Sequence, residues 1–203
     1  MVSLQYSIKK IFNSSLSTRI AALGVASLIF VLASGVVMAM KDGDKSFSPY
    51  VDKQGRISLP KDFRLKMVHL GSFFVPEGEA SGFHDVYAEA EAVLHYRKNG
   101  TFPDGATIVK ELRPSQSGDY TTGKNVSHAT SDIKQWFVMV KDTKGRFKDN
   151  SVWGDGWGWA LFKTNDSSVN VSQDYKKDCL GCHAPAKKTD WVYIEGYPTL
   201  NKP

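Results

Sequence analysis

Hydrophobic and polar positions change their spacing several times along this chain, and each change marks an element. Residues 20–40 form an uncharged, mainly apolar run, preceded by Lys9, Lys10 and Arg19 with no acidic residue and closed by Lys41. Residues 41–49 are polar and read as a linker. Residues 63–75 are apolar and rich in β-formers between Pro60 and Pro76, which predicts one long strand. Residues 77–83, with two glycines and two glutamates, read as a loop. Residues 88–98 are built of Ala, Glu, Leu and Tyr, good helix formers, and Asn99-Gly100 supplies the stop. A short strand over 107–112 is halted by Pro114, and the polar, Gly/Ser/Thr-rich stretch over 114–131 reads as a loop with room for a short hairpin. Strands are predicted over 133–140 and 157–162, joined by a turn region over 142–155. From 173 a short helix leads into a C-terminal cysteine motif, followed by an extended segment over 191–197. Runs of strands with few helices predict an α+β domain with a mainly antiparallel sheet.

Alternation within the strands sorts side chains by face. In Thr107-Ile108-Val109-Lys110-Glu111-Leu112, Lys110 shares a face with Ile108 and Leu112 while Glu111 points the other way. A lysine on an apolar face is either a snorkelling edge residue whose ammonium reaches water or an amine held beside a cofactor. In Trp157-Gly158-Trp159-Ala160-Leu161-Phe162 the indoles share one face and Gly158 and Ala160 the other. The small-residue face would let a flat macrocycle approach, although glycines also occur at ordinary bulges.

Charge removes some function classes. Of 26 Lys+Arg against 21 Asp+Glu, three bases precede residue 40, leaving 23 minus 21, or +2. No basic stripe with interleaved aromatics is present, so the composition argues against nucleic-acid binding. The basic N-terminus and the apolar run read as a signal peptide or an N-terminal membrane anchor over 1–40. The run is about as long as the ~20 residues that span a bilayer, and Val37-Met38-Ala39 offers small residues for cleavage, so both readings stand. Either places residues 50–203 outside the cytoplasm as one domain, expected in the periplasm, soluble or tethered to the inner membrane.

The chain has two cysteines, and they stand as Cys179-Leu180-Gly181-Cys182-His183. This C-x-x-C-H spacing attaches a c-type haem: two thiols add to the vinyl groups of one porphyrin, and the following histidine ligates the iron. One covalently bound haem c is therefore expected on Cys179 and Cys182, with His183 as the metal ligand. A thioredoxin-like pair would be expected near a βαβ pattern, and a four-ligand zinc site would need further thiols or a paired His motif. A plain disulfide is the remaining alternative.

With Phe63-Arg64, His69-Leu70-Gly71-Ser72, Phe102-Pro103-Asp104-Gly105, Val109-Lys110-Glu111-Leu112, the haem motif and Thr189-Asp190-Trp191-Val192 through Tyr197-Pro198, the chain resembles the cytochrome P-460 family. The likeness covers most of residues 50–200. It implies a periplasmic mono-haem cytochrome, usually a homodimer on an antiparallel sheet. The family includes hydroxylamine oxidisers whose haem is also bonded to a lysine, and cytochromes c′-beta, which bind nitric oxide at a five-coordinate iron. The resemblance makes Lys110 the candidate for that cross-link. The hydroxylamine oxidisers place a carboxylate in the distal pocket as proton acceptor. The matching strand here, Gln135-Trp136-Phe137-Val138-Met139-Val140, has no acid, and Phe137 becomes the candidate distal wall.

His69, His84, His95, His128 and Met139 are each expected to be surface or packed residues rather than a sixth ligand. Two function classes follow. One is an enzyme that oxidises a small nitrogen compound such as hydroxylamine and passes electrons to a periplasmic electron-transfer partner. The other is a protein that binds nitric oxide or only shuttles electrons.

Overall fold

The computed structural model describes residues 47–201; the leader expected over 1–40 and most of the 41–49 linker lie outside the described residues. Among the described residues no helix is long and apolar enough to cross a membrane. A short helix α1 (Phe63–Lys66) leads into strand β1 (Val68–Val75), which turns back along β2 (Gly82–Ala88). Helix α2 (Ala90–Asn99) then delivers the chain to β3 (Thr107–Arg113). A separate two-stranded ribbon, β4 (Ser115–Tyr120) with β5 (Gly123–Ala129), precedes β6 (Gln135–Lys141), β7 (Trp153–Gly154) and β8 (Trp157–Lys163). Helices α3 (Tyr175–Asp178) and α4 (Leu180–His183) carry the cysteine motif, and 3-10 turns at Ala184–Thr189, Ile194–Gly196 and Pro198–Leu200 follow it. The main sheet runs β1-β2-β3-β6-β8-β7 with every pairing antiparallel. The domain is α+β with a mainly antiparallel sheet, as the hydrophobic pattern predicts.

The sheet is covered on both faces, and five of the seven residues of β3 are buried. On one face Val86, Ile108, Met139 and Trp159 pack against α2 and the C-terminal segment through Val93, Tyr96, Trp191 and Leu200. On the other, Val109, Val138, Ala160 and Phe162 pack against Ile57, Phe63 and Trp153. Helix α2 ends where Asn99-Gly100 predicts: Gly100 adopts φ 74° and its N–H closes on Tyr96 O at 2.7 Å. It starts two residues later than its composition suggests, because Ala88 is taken up by pairing with Val68 and Ile108.

Three expectations change. The long strand over 63–75 is divided: Asp62 turns left-handed at φ 57°, α1 forms, and only Val68–Val75 is extended. The segment read as loop and helix start contains β2, whose buried face is Gly82, His84, Val86 and Ala88 while Phe83 and Tyr87 lie opposite. That inverted polarity hides the strand from hydrophobic alternation. The extended segment over 191–197 folds instead into a 3-10 turn, because Asp190 and Trp191 both take left-handed φ, 60° and 68°. The C-terminal turn lies directly on β1: a Cβ added at Gly71 would stand 2.2 Å from the carbonyl oxygen of Gly196. Only a residue without a side chain allows that approach.

Candidate functional site

The site is assembled by strand register. β3 pairs with β2 on one side and β6 on the other, so Lys110 lies opposite Val86 and Phe137 across the two ladders. Its Nζ sits 4.0 Å from the centre of the Phe137 ring. Ile108, Lys110 and Leu112 line one wall of a cavity, the face that alternation assigns to them, and Phe137 and Met139 continue it on β6. The cavity measures about 460 Å³, within the ~300–1,000 Å³ that enclose a ligand or cofactor. Burial brings the Lys110 pKa down to about 8, with Cys182 and Cys179 opposing the shift. A neutral amine is therefore accessible close to physiological pH.

The opposite face of β3 anchors this lysine. Glu111 is 1% exposed and accepts from Arg64 Nε at 3.1 Å, Arg113 Nε at 2.6 Å and Trp136 Nε1 at 3.0 Å. Burial alone would raise its pKa, but these donors outweigh it and hold the carboxyl below its usual value. The buried charge is fully satisfied, so the strand segment carrying Lys110 is pinned from α1, β3 and β6 together.

The cysteine motif forms the facing wall. Cys179, Cys182 and His183 all line the cavity, and neither thiol is paired in a disulfide. The His183 Nδ1–H donates to Trp191 O at 2.8 Å, which leaves Nε2 as the lone pair of a cavity-lining imidazole. Burial holds that ring neutral, with its pKa down to about 4. Trp159 meets it edge-on, ring centres 4.9 Å apart. The Trp191 carbonyl owes its direction to the two left-handed residues before and at it. Asp190 is held by an ion pair with Lys141 and by the Phe102 N–H at 2.9 Å, and Tyr193 OH donates to Cys182 O.

The small-residue face of β8 plays another part than the one expected. Ala160 reaches the cavity, but a Cβ at Gly158 would stand 2.6 Å from the Trp153 ring, so this glycine makes room for an indole on the far face. The indole face, through Trp159, is the one turned to the cysteine motif.

His84, expected to be a surface or packed histidine, is packed, and no signal in the sequence marked it as lining the cavity. It is 4% exposed, lines the cavity, stacks on Phe73 at 4.6 Å and donates from Nε2 to Ala80 O at 2.7 Å. Burial lowers its pKa. Reading Gly82–Ala88 as a strand would have placed it on one face with Val86 and Ala88. His69, His95 and His128 bond Ser72, Thr101 O and Tyr120 respectively, away from the cavity. Met139 lines it. No acid stands on the cavity face of β6; among the described residues Asp178 and Glu195 are the carboxylates lining the cavity. Asp142 and Asp155 are engaged elsewhere, by Arg146 and by Tyr175 OH.

Haem c fits these residues: an apolar cavity of sufficient volume, two unpaired thiols, and a neutral imidazole whose free nitrogen is set by its hydrogen bond. Among the described residues no three His, Cys, Asp or Glu side chains gather to hold a bare metal ion, so a zinc site has no ligand set here. Fold and site thus define a haem protein of the c type. The family model for cytochrome P-460 matches residues 60–194, and the chain belongs to that family. No curated protein matches it.

Proposed function

We propose that the protein is an exported mono-haem c-type cytochrome that takes small nitrogen compounds, nitric oxide or hydroxylamine, at an iron position left open opposite His183. Cys179 and Cys182 would hold the haem by thioether bonds, His183 Nε2 would ligate the iron, and Lys110 would form a third covalent bond. Haem c, when bound, supplies a redox-active iron that can coordinate one small ligand. The observation that carries the reading is the enclosure of Lys110 Nζ in the cavity wall against Phe137. A lysine reaching for water would not be held there.

Phe137 and Met139 keep the wall apolar, which excludes water and favours a neutral diatomic ligand. The absence of an acid on the cavity face of β6 supports nitric oxide binding ahead of hydroxylamine oxidation, which needs a proton acceptor at the ligand. The leader read from the sequence over 1–40 supports export to the compartment where C-x-x-C-H motifs receive their haem. The family resemblance supports a homodimer.

The visible spectrum of the reduced protein tests the reading. A lysine-tethered haem should absorb far to the red of an ordinary c-type cytochrome, and Lys110→Ala should keep the haem and restore the ordinary band. The reduced protein should be high-spin and bind nitric oxide and carbon monoxide. Mass spectra of haem peptides showing only two thioether links in matured protein would make Lys110 an ordinary side chain. Low-spin spectra in both oxidation states would make simple electron transfer the function.

The tether, an N–C bond made as two protons and two electrons leave to an added peroxide oxidant, should also form in a pH-dependent way, because only the neutral amine is a nucleophile. Below the Lys110 pKa of about 8 the neutral fraction rises about tenfold per pH unit, and above it the fraction levels off. Maturation followed by absorbance in an oxidising buffer should rise and then plateau in that way. A flat profile would show that deprotonation of Lys110 does not limit the bond.

A further inference from the structure

Four exposed lysines flank the cysteine motif along the chain. Lys176 and Lys177 lie on α3 just before it, and Lys187 and Lys188 on the 3-10 turn just after it. The acids interspersed with them are turned to the backbone. Asp178 accepts from Ser172 Oγ at 3.0 Å, Gln173 N at 2.9 Å and Asp174 N at 3.1 Å. Asp174 caps α3 through Lys176 N at 3.0 Å and meets Lys177 Nζ only at 3.8 Å. Over residues 174–189 the balance is four bases against two acids, or +2, the same surplus as the whole chain beyond residue 40, 23 against 21. The next acid along the chain, Asp190, is neutralised by its ion pair with Lys141, and Glu195 lines the cavity, so the lysines outnumber the free acids beside the motif.

Between Lys177 and Lys187 the one acid is Asp178, and the other exposed residues carry no charge. Gly181, Cys182, Ala184 and Pro185 are exposed, and Tyr193 is 38% exposed with its hydroxyl on Cys182 O. Val171, 42% exposed, adjoins Ser172, whose Oγ lies 3.8 Å from Cys179 Sγ. An apolar centre with a charged rim is the anatomy of a protein contact. Four rim lysines around a small centre match the short-lived contacts of redox proteins rather than a permanent assembly.

We propose that this lysine-rimmed face docks an acidic electron-transfer protein, which approaches the haem at its exposed thioether edge. The inference rests on the reading that Cys179 and Cys182 hold the haem. One electron passes per encounter, from the reduced haem protein to the oxidised partner, and no bond or proton is exchanged. The lysines act from the rim, where they raise the encounter rate and orient the partner, an effect that salt screens.

The test uses haem-loaded protein and a zinc-substituted acidic cupredoxin as a redox-inert probe. Amide shifts on titration should concentrate on residues 171–193 and fade as salt rises through ~0.15 M, where the screening length is about 8 Å. Changing Lys176, Lys177, Lys187 and Lys188 together to Glu should abolish them. Changing the exposed Lys53, Lys98, Lys124 and Lys148 to Glu alters net charge equally and should preserve them. Oxidation by hexacyanoferrate(III) at low salt should slow about tenfold or more in the first variant only. Equal behaviour of the two variants, with haem absorbance intact, would overturn the docking face alone. Binding to phosphatidylglycerol vesicles but not to the cupredoxin would overturn it in favour of a membrane contact. A preparation without haem colour would overturn both this inference and the reading beneath it.

Discussion

Protein in which Cys179 and Cys182 are both replaced by alanine is expected to fold but to show no haem colour at its band after denaturing electrophoresis. The two thiols line the cavity together with His183, and they are the two cysteines of the chain. Loss of one should leave a single thioether and a weaker band; loss of both leaves only coordination by His183, which denaturant breaks. The fold should survive because Cys182 is exposed and Cys179 only half-buried, so their truncation removes little packed surface. A far-ultraviolet spectrum like that of the unaltered protein, beside an uncoloured band, is the expected pair of results. Colour persisting in the double variant would reject thioether attachment.

The second large effect should come from Asp190→Asn or Lys141→Met. The two side chains are 8% and 11% exposed and form a buried ion pair, and Lys141 Nζ also lies 4.7 Å from the Trp157 ring centre. Removing one member leaves the other charge buried without its partner, which costs about 3–5 kcal/mol. The damage should spread to the haem side. Asp190 and Trp191 sit at φ 60° and 68°, and a bulky residue held there stores about 1–3 kcal/mol that surrounding contacts must offset. When the pair is lost, the backbone can relax and the Trp191 carbonyl no longer meets His183 Nδ1. Guanidinium unfolding should show the loss of stability, and the iron–histidine stretch of the haem-loaded protein should shift. The double variant should recover part of the stability, because no charge is left unpaired. Single variants as stable as the parent would show that the pair holds nothing in place.

Much of the site's local chemistry is legible in the sequence. Alternation puts Lys110 on the face of Ile108 and Leu112, and these three do line one wall. Asn99-Gly100 does end α2, and the polar stretch after Pro114 does hold a hairpin, β4 with β5. The C-x-x-C-H spacing brings Cys179, Cys182 and His183 together, and all three line the cavity. Other parts are not legible. β2 is masked because its buried face carries Gly82 and His84 while Phe83 and Tyr87 lie opposite, so His84 is not recognisable as part of the cavity. The pairing of Lys141 with Asp190 joins residues 49 positions apart, and that of Arg64 with Glu111 joins residues 47 apart. No local pattern reports either contact.

β8 separates the two kinds of information. Its sequence determines that Trp157 and Trp159 share one face and Gly158 and Ala160 the other, since side chains alternate in any extended strand. It does not determine which face meets the cysteine motif. That is decided when the chain returns from far away: Trp153 fills the space over Gly158 on one side, and His183 and Trp191 close on Trp159 on the other. By itself, then, the sequence determined the spacing of Cys179, Cys182 and His183, the mainly antiparallel α+β class and the face of β3 that carries Lys110, because these depend on neighbouring residues and strand geometry. Only the tertiary structure decided that Lys110 stands against Phe137 and that Trp191 orients His183. Those contacts depend on packing between segments whose separation along the chain leaves no periodic trace.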